Sequence, residues 1–349
     1  MPASLHPICR RPCTLLALTM QGVALVAALF VANLYWGAVH IPATAVTDML
    51  LGRGSDNAAW TYILWDSRLP QAVTATLSGA GLAVAGLLLQ TAFRNPLAGP
   101  SLLGIDGGAN LGVAIVMLAL GGSLTAGSVT LSGYVLVILA ALVGAMAVML
   151  LLTLLSAHLR HDVMLLIAGV MISYITSSLI SLLNYGATEE GVHSFMVWGM
   201  GTFAAVTTER LMPFAVAMLA GIAAAIALAK PLNAMLLGEN YAANLGINVE
   251  RTRTMLLLTT GVLTATSTAF CGPIAFVGLA VPHMARLLVC SSDHRALLPA
   301  TLLIGAALAL ACNLLSTAFT TALMPINVIT PLIGAPVVLY VMREGIGHH

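Results

Sequence analysis

The sequence predicts an all-α polytopic membrane protein with about ten transmembrane helices, a single transmembrane domain over 1–349. Three observations lead there. Hydrophobic residues make up 60% of the 349-residue chain and charged residues only 7%, against about 25% charged in soluble domains. Mean hydropathy is +1.01. The apolar residues fall in runs of roughly 20, the length that crosses a bilayer at 1.5 Å per residue. So few charges cannot cover a water-facing surface, and a net charge of +1 offers no footing for nucleic acid.

Taken in order, the first span is expected over 14–36. Arg10 and Arg11 precede it as in a signal peptide, but its apolar run is longer than a signal h-region and no small-x-small site stands out, so it reads as retained. The second span is expected over 70–91, with Arg68 at its mouth. Arg94-Asn95-Pro96 makes a tight turn, and the third span, 101–120, starts back with Gly104, Gly108 and Gly112 four apart. Small residues at that spacing let helix backbones approach in lipid. Further spans are expected over 130–156, 162–184, 210–229, 254–270, 274–291, 297–319 and 329–343, with a short extra helix near 193–203. Pro282 should kink the eighth span near its end.

Basic residues set the orientation. With a cytoplasmic N-terminus, Arg10, Arg11, Arg94, Arg160, Lys230, Arg251, Arg253, Arg286, Arg295 and Arg343 lie inside, leaving only Arg53, Arg68 and Arg210 outside. This is the asymmetry of the positive-inside rule for an even number of spans with both ends cytoplasmic.

The energy source is expected in another subunit. Almost no ionisable side chain falls within a span apart from Asp106, so the chain offers no relay of the kind that couples ion flow to transport. The one lysine, Lys230, sits in A-K-P-L and not in a Walker A loop. The segment Pro231 to Arg253 is the longest polar interruption on the basic side, divided by Gly238 and Gly246 and carrying apolar knobs at Leu236, Leu237, Leu245 and Ile247. It reads either as a solvated connector or as a docking element. Five cysteines, odd in number and mostly scattered, support neither a disulfide framework nor a zinc site. No hydrolase motif is present, and seventeen methionines read as core filler.

Four ordered stretches resemble the FecCD family, the BtuC-like permeases of ABC importers for iron–siderophore complexes, haem and vitamin B12. They are Arg68 to Gly104, G-E-N-Y-A-A-N-L-G from Gly238, G-P-I-A-F-V-G-L-A-V-P-H-M-A-R from Gly272, and M-P-I-N-V-I-T-P-L-I-G-A-P from Met324. The resemblance implies a homodimer of permeases in the bacterial inner membrane, two ATPase subunits that hold ATP and Mg, a periplasmic substrate-binding protein, and no cofactor on this chain. It makes Leu237, Gly238, Glu239, Leu245 and Gly246 part of the 231–253 coupling loop. It places the cytoplasmic gate at Asn95 and Leu97, and at Arg160 and His161, where the family carries small hydroxyl residues. The outer gate is expected near the fifth span and the 193–203 helix.

Arg68 corresponds to an arginine that docks the binding protein, although Gln71 stands where the family often has a second. Pro282, His283 and Arg286 form the span-eight motif. His283 and Arg286 are three apart and share a helix face, positioned either to anchor that end at lipid headgroups or to touch the coupling segment. A passive channel or secondary facilitator is the alternative class, and an intramembrane enzyme acting near Asp106 a third.

Overall fold

Each of the ten expected spans contains helix in the computed structural model, which describes residues 12–54, 57–126, 129–158, 162–318 and 324–346. In chain order, α1 (Pro12–Tyr35) is followed by two short helices, α2 (Ala43–Leu50) and α3 (Ala58–Tyr62). A π-helical turn, Ile63–Arg68, then leads into α4 (Leu69–Ala92). Next come α5 (Ile105–Ala114), a second π turn at Ile115–Ala119, and an antiparallel hairpin of β1 (Ser123–Ala126) and β2 (Val129–Ser132). The remainder is α6 (Gly133–His158), α7 (Asp162–Gly186), α8 (Glu189–Gly199), α9 (Thr208–Ala227), α10 (Ala229–Leu236), α11 (Glu239–Asn244), α12 (Val249–Cys271), α13 (Val277–Val289), α14 (His294–Ala318) and α15 (Ile326–Ile346).

Seven helices among the described residues are long and apolar enough to cross a bilayer. The expected spans at 101–120 and 274–291 are shorter than anticipated: helix covers only Ile105–Ala119 and Val277–Val289. The cause is local backbone chemistry. Pro100–Leu103 forms a 3-10 turn closed by Gly104 at φ 75°, and Gly272 at φ 76° ends α12 ahead of an irregular run to Phe276 at φ 68°. Irregular backbone at membrane depth persists only where protein covers it. Here the two breaks cover each other: Gly99–Leu102 and Ile274–Phe276 line one small cavity of about 240 Å³ beside Leu82.

The centre of the fold is α4, with 20 of its 24 residues buried. It is apolar all round, as a helix surrounded by others must be, and α9, α12, α13 and α14 pack on it. Small residues set the closest approaches. A methyl group at Gly86 would overlap the carbonyl of Gly278, and one at Gly79 would overlap that of Gly305. The spaced glycines of the third span divide their work: Gly108 and Gly112 lie against Gly144 and Ala140 of α6, while Gly104 turns against Gly169 of α7.

The extra helix appears as α8 and begins earlier than expected because Thr188 caps it, its hydroxyl accepting the Gly191 N–H. Helix α2 buries Val46 and Met49, and neither it nor the hairpin was anticipated, both being too short to show a period.

Arg68 has a structural role that the sequence did not suggest. It is only 5% exposed. Its guanidinium donates to the carbonyls of Leu34 (2.8 Å), Tyr35 (2.9 Å) and Val39. These include the C-terminal carbonyls of α1, which no further helical N–H satisfies. In this way the buried cation fastens α1 to the start of α4.

Candidate coupling and gate region

The predicted gate turn, coupling loop and span-eight motif converge at one end of the bundle. Helix α4 ends at Ala92, Arg94 adopts φ 45°, and the chain folds back through Asn95, Pro96 and Leu97. The Asn95 N–H returns to the Gln90 carbonyl at 3.2 Å. The Asn95 side chain accepts the Leu97 N–H at 2.9 Å, a local bond that suits asparagine to a turn. Leu97 is exposed.

His283 and Arg286 hold this turn. His283 is buried on α13, with Nε2 2.8 Å from the Pro96 carbonyl. A carbonyl only accepts, so that nitrogen carries the proton. Arg286 donates through Nη1 to Gln90 Oε1 at 2.5 Å, and Gln90 Nε2 donates back to the Leu279 carbonyl at 3.2 Å. The motif therefore pins both strands of the turn. Both readings of the sequence, headgroup anchor and coupling-segment contact, missed this partner. Pro282 lies buried inside α13, where its missing N–H releases the Gly278 carbonyl one turn back.

The 231–253 segment divides into a rooted half and an exposed half. Helix α10 buries Leu232 and Met235. Beyond it the chain turns at Gly238 (φ 120°), forms α11, and turns again at Gly246 (φ 81°), backbone angles that a Cβ disfavours. The two expected short helices are thus present, the first starting two residues before 231. Leu237, at 68% exposed, and Leu245, at 59%, face outward. The Glu239 side chain, Arg160 and His161 lie outside the described residues.

A polar chain that sequence reasoning missed ties α10 to the gate turn. Asn233 Oδ1 accepts both the backbone N–H and ring Nδ1–H of His294, each at 2.8 Å, and Asn233 Nδ2 donates to Asp293 at 2.6 Å. The other ring nitrogen of His294 meets the Thr91 hydroxyl at 2.9 Å. Arg94 donates to the Met235 carbonyl at 3.2 Å. The N–H of Arg295, helped by the Asn233 amide and against the opposing effect of burial, holds the exposed Asp293 carboxyl below the usual carboxylate range. Asn233 lies some 60 residues before His294 in the chain, too far for any local pattern to join them.

Asp106 stands apart from this cluster, in the first turn of α5, accepting from Ser101 at 2.7 Å and Thr268 at 2.8 Å. Among the described residues no three His, Cys, Asp or Glu side chains gather as a metal site.

The chain is similar to known transport proteins along most of its length. The model of the FecCD transport family matches residues 25–344. The vitamin B12 import system permease protein BtuC of Klebsiella pneumoniae is 36% identical over 294 residues, covering 83% of this chain and 85% of the relative. The molybdate import system permease protein MolB of Haemophilus influenzae is 34% identical over 290 residues, covering 81% and 82%. A solved structure of a metal-chelate type ABC transporter in an inward-facing conformation superposes with a TM-score of 0.81 at 30% identity, covering 96% of this chain and 100% of that one.

Proposed function

The chain belongs to the FecCD transport family as an ABC transporter permease, and from that premise we propose that it imports an iron complex or vitamin B12 on ATP hydrolysed by a partner. Two copies form the translocation path. The exposed apolar face of α7, including Met171, Ile175 and Leu182, supports a helix that meets a second copy or lipid. Two ATPase subunits, carrying ATP and Mg, dock on the two α10–α11 loops, and a binding protein delivers cargo at the opposite end. Arg94, Lys230, Arg251 and Arg295 cluster at the loop end, which supports a cytoplasmic loop and cytoplasmic termini in a bacterial inner membrane.

One observation carries the reading: a loop with outward apolar side chains, Leu237 and Leu245, is rooted by hydrogen bonds to Arg94 and, through His294, to Thr91, just ahead of Asn95–Leu97. A passive pore has no use for such a connection. ATP binding and release would open the outer gate, near α7 and α8, and the inner gate, at Asn95 and Leu97, in alternation. Arg160 and His161 belong to that inner gate in the same reading. The partner relatives carry vitamin B12 and molybdate by name, so the permease itself does not announce its cargo.

The test is ATPase activity of the co-purified complex in lipid, with a loaded binding protein and with cobalamin, haem or an iron–siderophore complex. Stimulation by one cargo is expected. If no ATPase co-purifies and none can be stimulated, a facilitator replaces this reading.

A further inference from the structure

We propose that His294 and Thr91 are positioning residues: their hydrogen bond, extended to Asn233, is the link through which the docking loop moves the gate turn. The inference rests on the permease reading above.

Helix α10 is strapped to the last turn of α4 by two separate routes. At its C-terminal end the Met235 carbonyl accepts from Arg94. Half a turn earlier, Asn233 grips His294, and the imidazole reaches across to Thr91. Thr91 lies in the last turn of α4 and Arg94 in the turn just beyond it, so both routes end at that junction. The residues that follow them are Asn95 and Leu97. A displacement of α10 is therefore delivered to the segment immediately before the gate.

The link holds in either protonation state of the ring. Asn233 Oδ1 already takes the His294 backbone N–H, which fixes that oxygen as an acceptor and puts a proton on Nδ1. In the neutral ring Nε2 accepts from the Thr91 hydroxyl. If Nε2 is also protonated, it donates to that oxygen, and the hydroxyl proton turns to the Leu87 carbonyl, 2.9 Å away.

Burial makes the link stiff. His294 and Thr91 are both buried. A polar contact at low local dielectric breaks only by leaving unsatisfied groups behind. The apolar contacts of Leu232 on the same helix are non-directional and allow sliding. A helix cap alone would explain Asn233, which satisfies the first N–H of α14, but it would not explain the imidazole continuing to Thr91.

The experiment uses the complete complex of permease, ATPase and binding protein in liposomes, with cyanocobalamin, haemin and a ferric hydroxamate as cargo probes. The reading is ATP hydrolysed per probe molecule delivered, for the wild type, Thr91→Val and Thr91→Ser. Valine keeps the shape of threonine and removes only the hydroxyl, so assembly and hydrolysis should persist. Delivery per ATP is expected to fall about tenfold, the factor that matches loss of one buried hydrogen bond. Serine restores the hydroxyl and should bring the ratio back to within about twofold. An unchanged ratio in Thr91→Val overturns the link, as does an equal fall in hydrolysis and delivery, which marks a purely structural role. A wild-type complex that delivers no probe on ATP overturns the permease reading itself, and is recognised before any variant is compared.

Discussion

Gly86 of α4 lies directly against the carbonyl oxygen of Gly278 on α13, the carbonyl that Pro282 deprives of its helical N–H. Two sequence oddities, a glycine in a buried helix and a proline inside another, thus complete one contact. The released oxygen meets the Gly86 backbone, where only a Cα–H can come so near. The crossing fixes α13, and with it His283 and Arg286, relative to the turn they hold.

Gly86→Ala should therefore destabilise the protein. The added methyl group meets backbone, which cannot swing aside, and the overpacking costs about 1–3 kcal/mol. Thermal unfolding in detergent should show the loss, with Gly199→Ala as the control, since nothing lies within 4 Å of a Cβ there. Equal melting temperatures for the two variants would contradict the crossing.

The physical origin of each feature explains how far the sequence could be read. Spans show because a bilayer demands runs of about 20 apolar residues, and both glycines of the coupling loop show because their turns interrupt such runs. The shortening of α5 and α13 does not show: Leu102, Leu103, Ile274 and Phe276 are as apolar as any helix residue, and only backbone angles at Gly104, Gly272 and Phe276 reveal the breaks. Arg68 was legible as a lone cation at a span mouth, but not its burial, because its carbonyl partners are 29 to 34 residues earlier. The Asn233–His294–Thr91 chain joins three helices across as many as 203 residues, and no local pattern encodes such a meeting.

Arg68→Ala separates a structural arginine from a docking one. The substitution leaves the carbonyls of Leu34, Tyr35 and Val39 without their donor, at about 1–3 kcal/mol for each group left unsatisfied. A clear drop in melting temperature of the isolated permease is expected. A variant with native melting temperature and weakened affinity for a binding protein would restore the docking role.

His283→Ala should loosen the gate turn without unfolding the helices around it. The Pro96 carbonyl loses its partner, and local opening becomes easier by about 1–2 kcal/mol, or roughly tenfold in protection. Hydrogen–deuterium exchange of the amides of Leu97 and Ala98 is the measurement, with amides of α9 as the internal reference. Uniform acceleration across both segments would instead indicate global destabilisation.

Leu237→Glu and Leu245→Glu test the docking surface itself. Both side chains stand in solvent, so the isolated permease loses no core contact and should melt as the wild type does. In the complex, each glutamate would bury a charge where an apolar side chain sits against the ATPase. Burying a charge without a partner is costly, and a central interface residue carries about 2 kcal/mol or more. An affinity loss of at least about thirtyfold is expected for each variant, read as failure of the ATPase to co-purify at native permease stability. Leu51→Glu supplies the contrast: it is as exposed, at 62%, but follows α2 at the opposite end, and should leave ATPase binding intact. If all three variants retain the ATPase, docking does not run through Leu237 and Leu245.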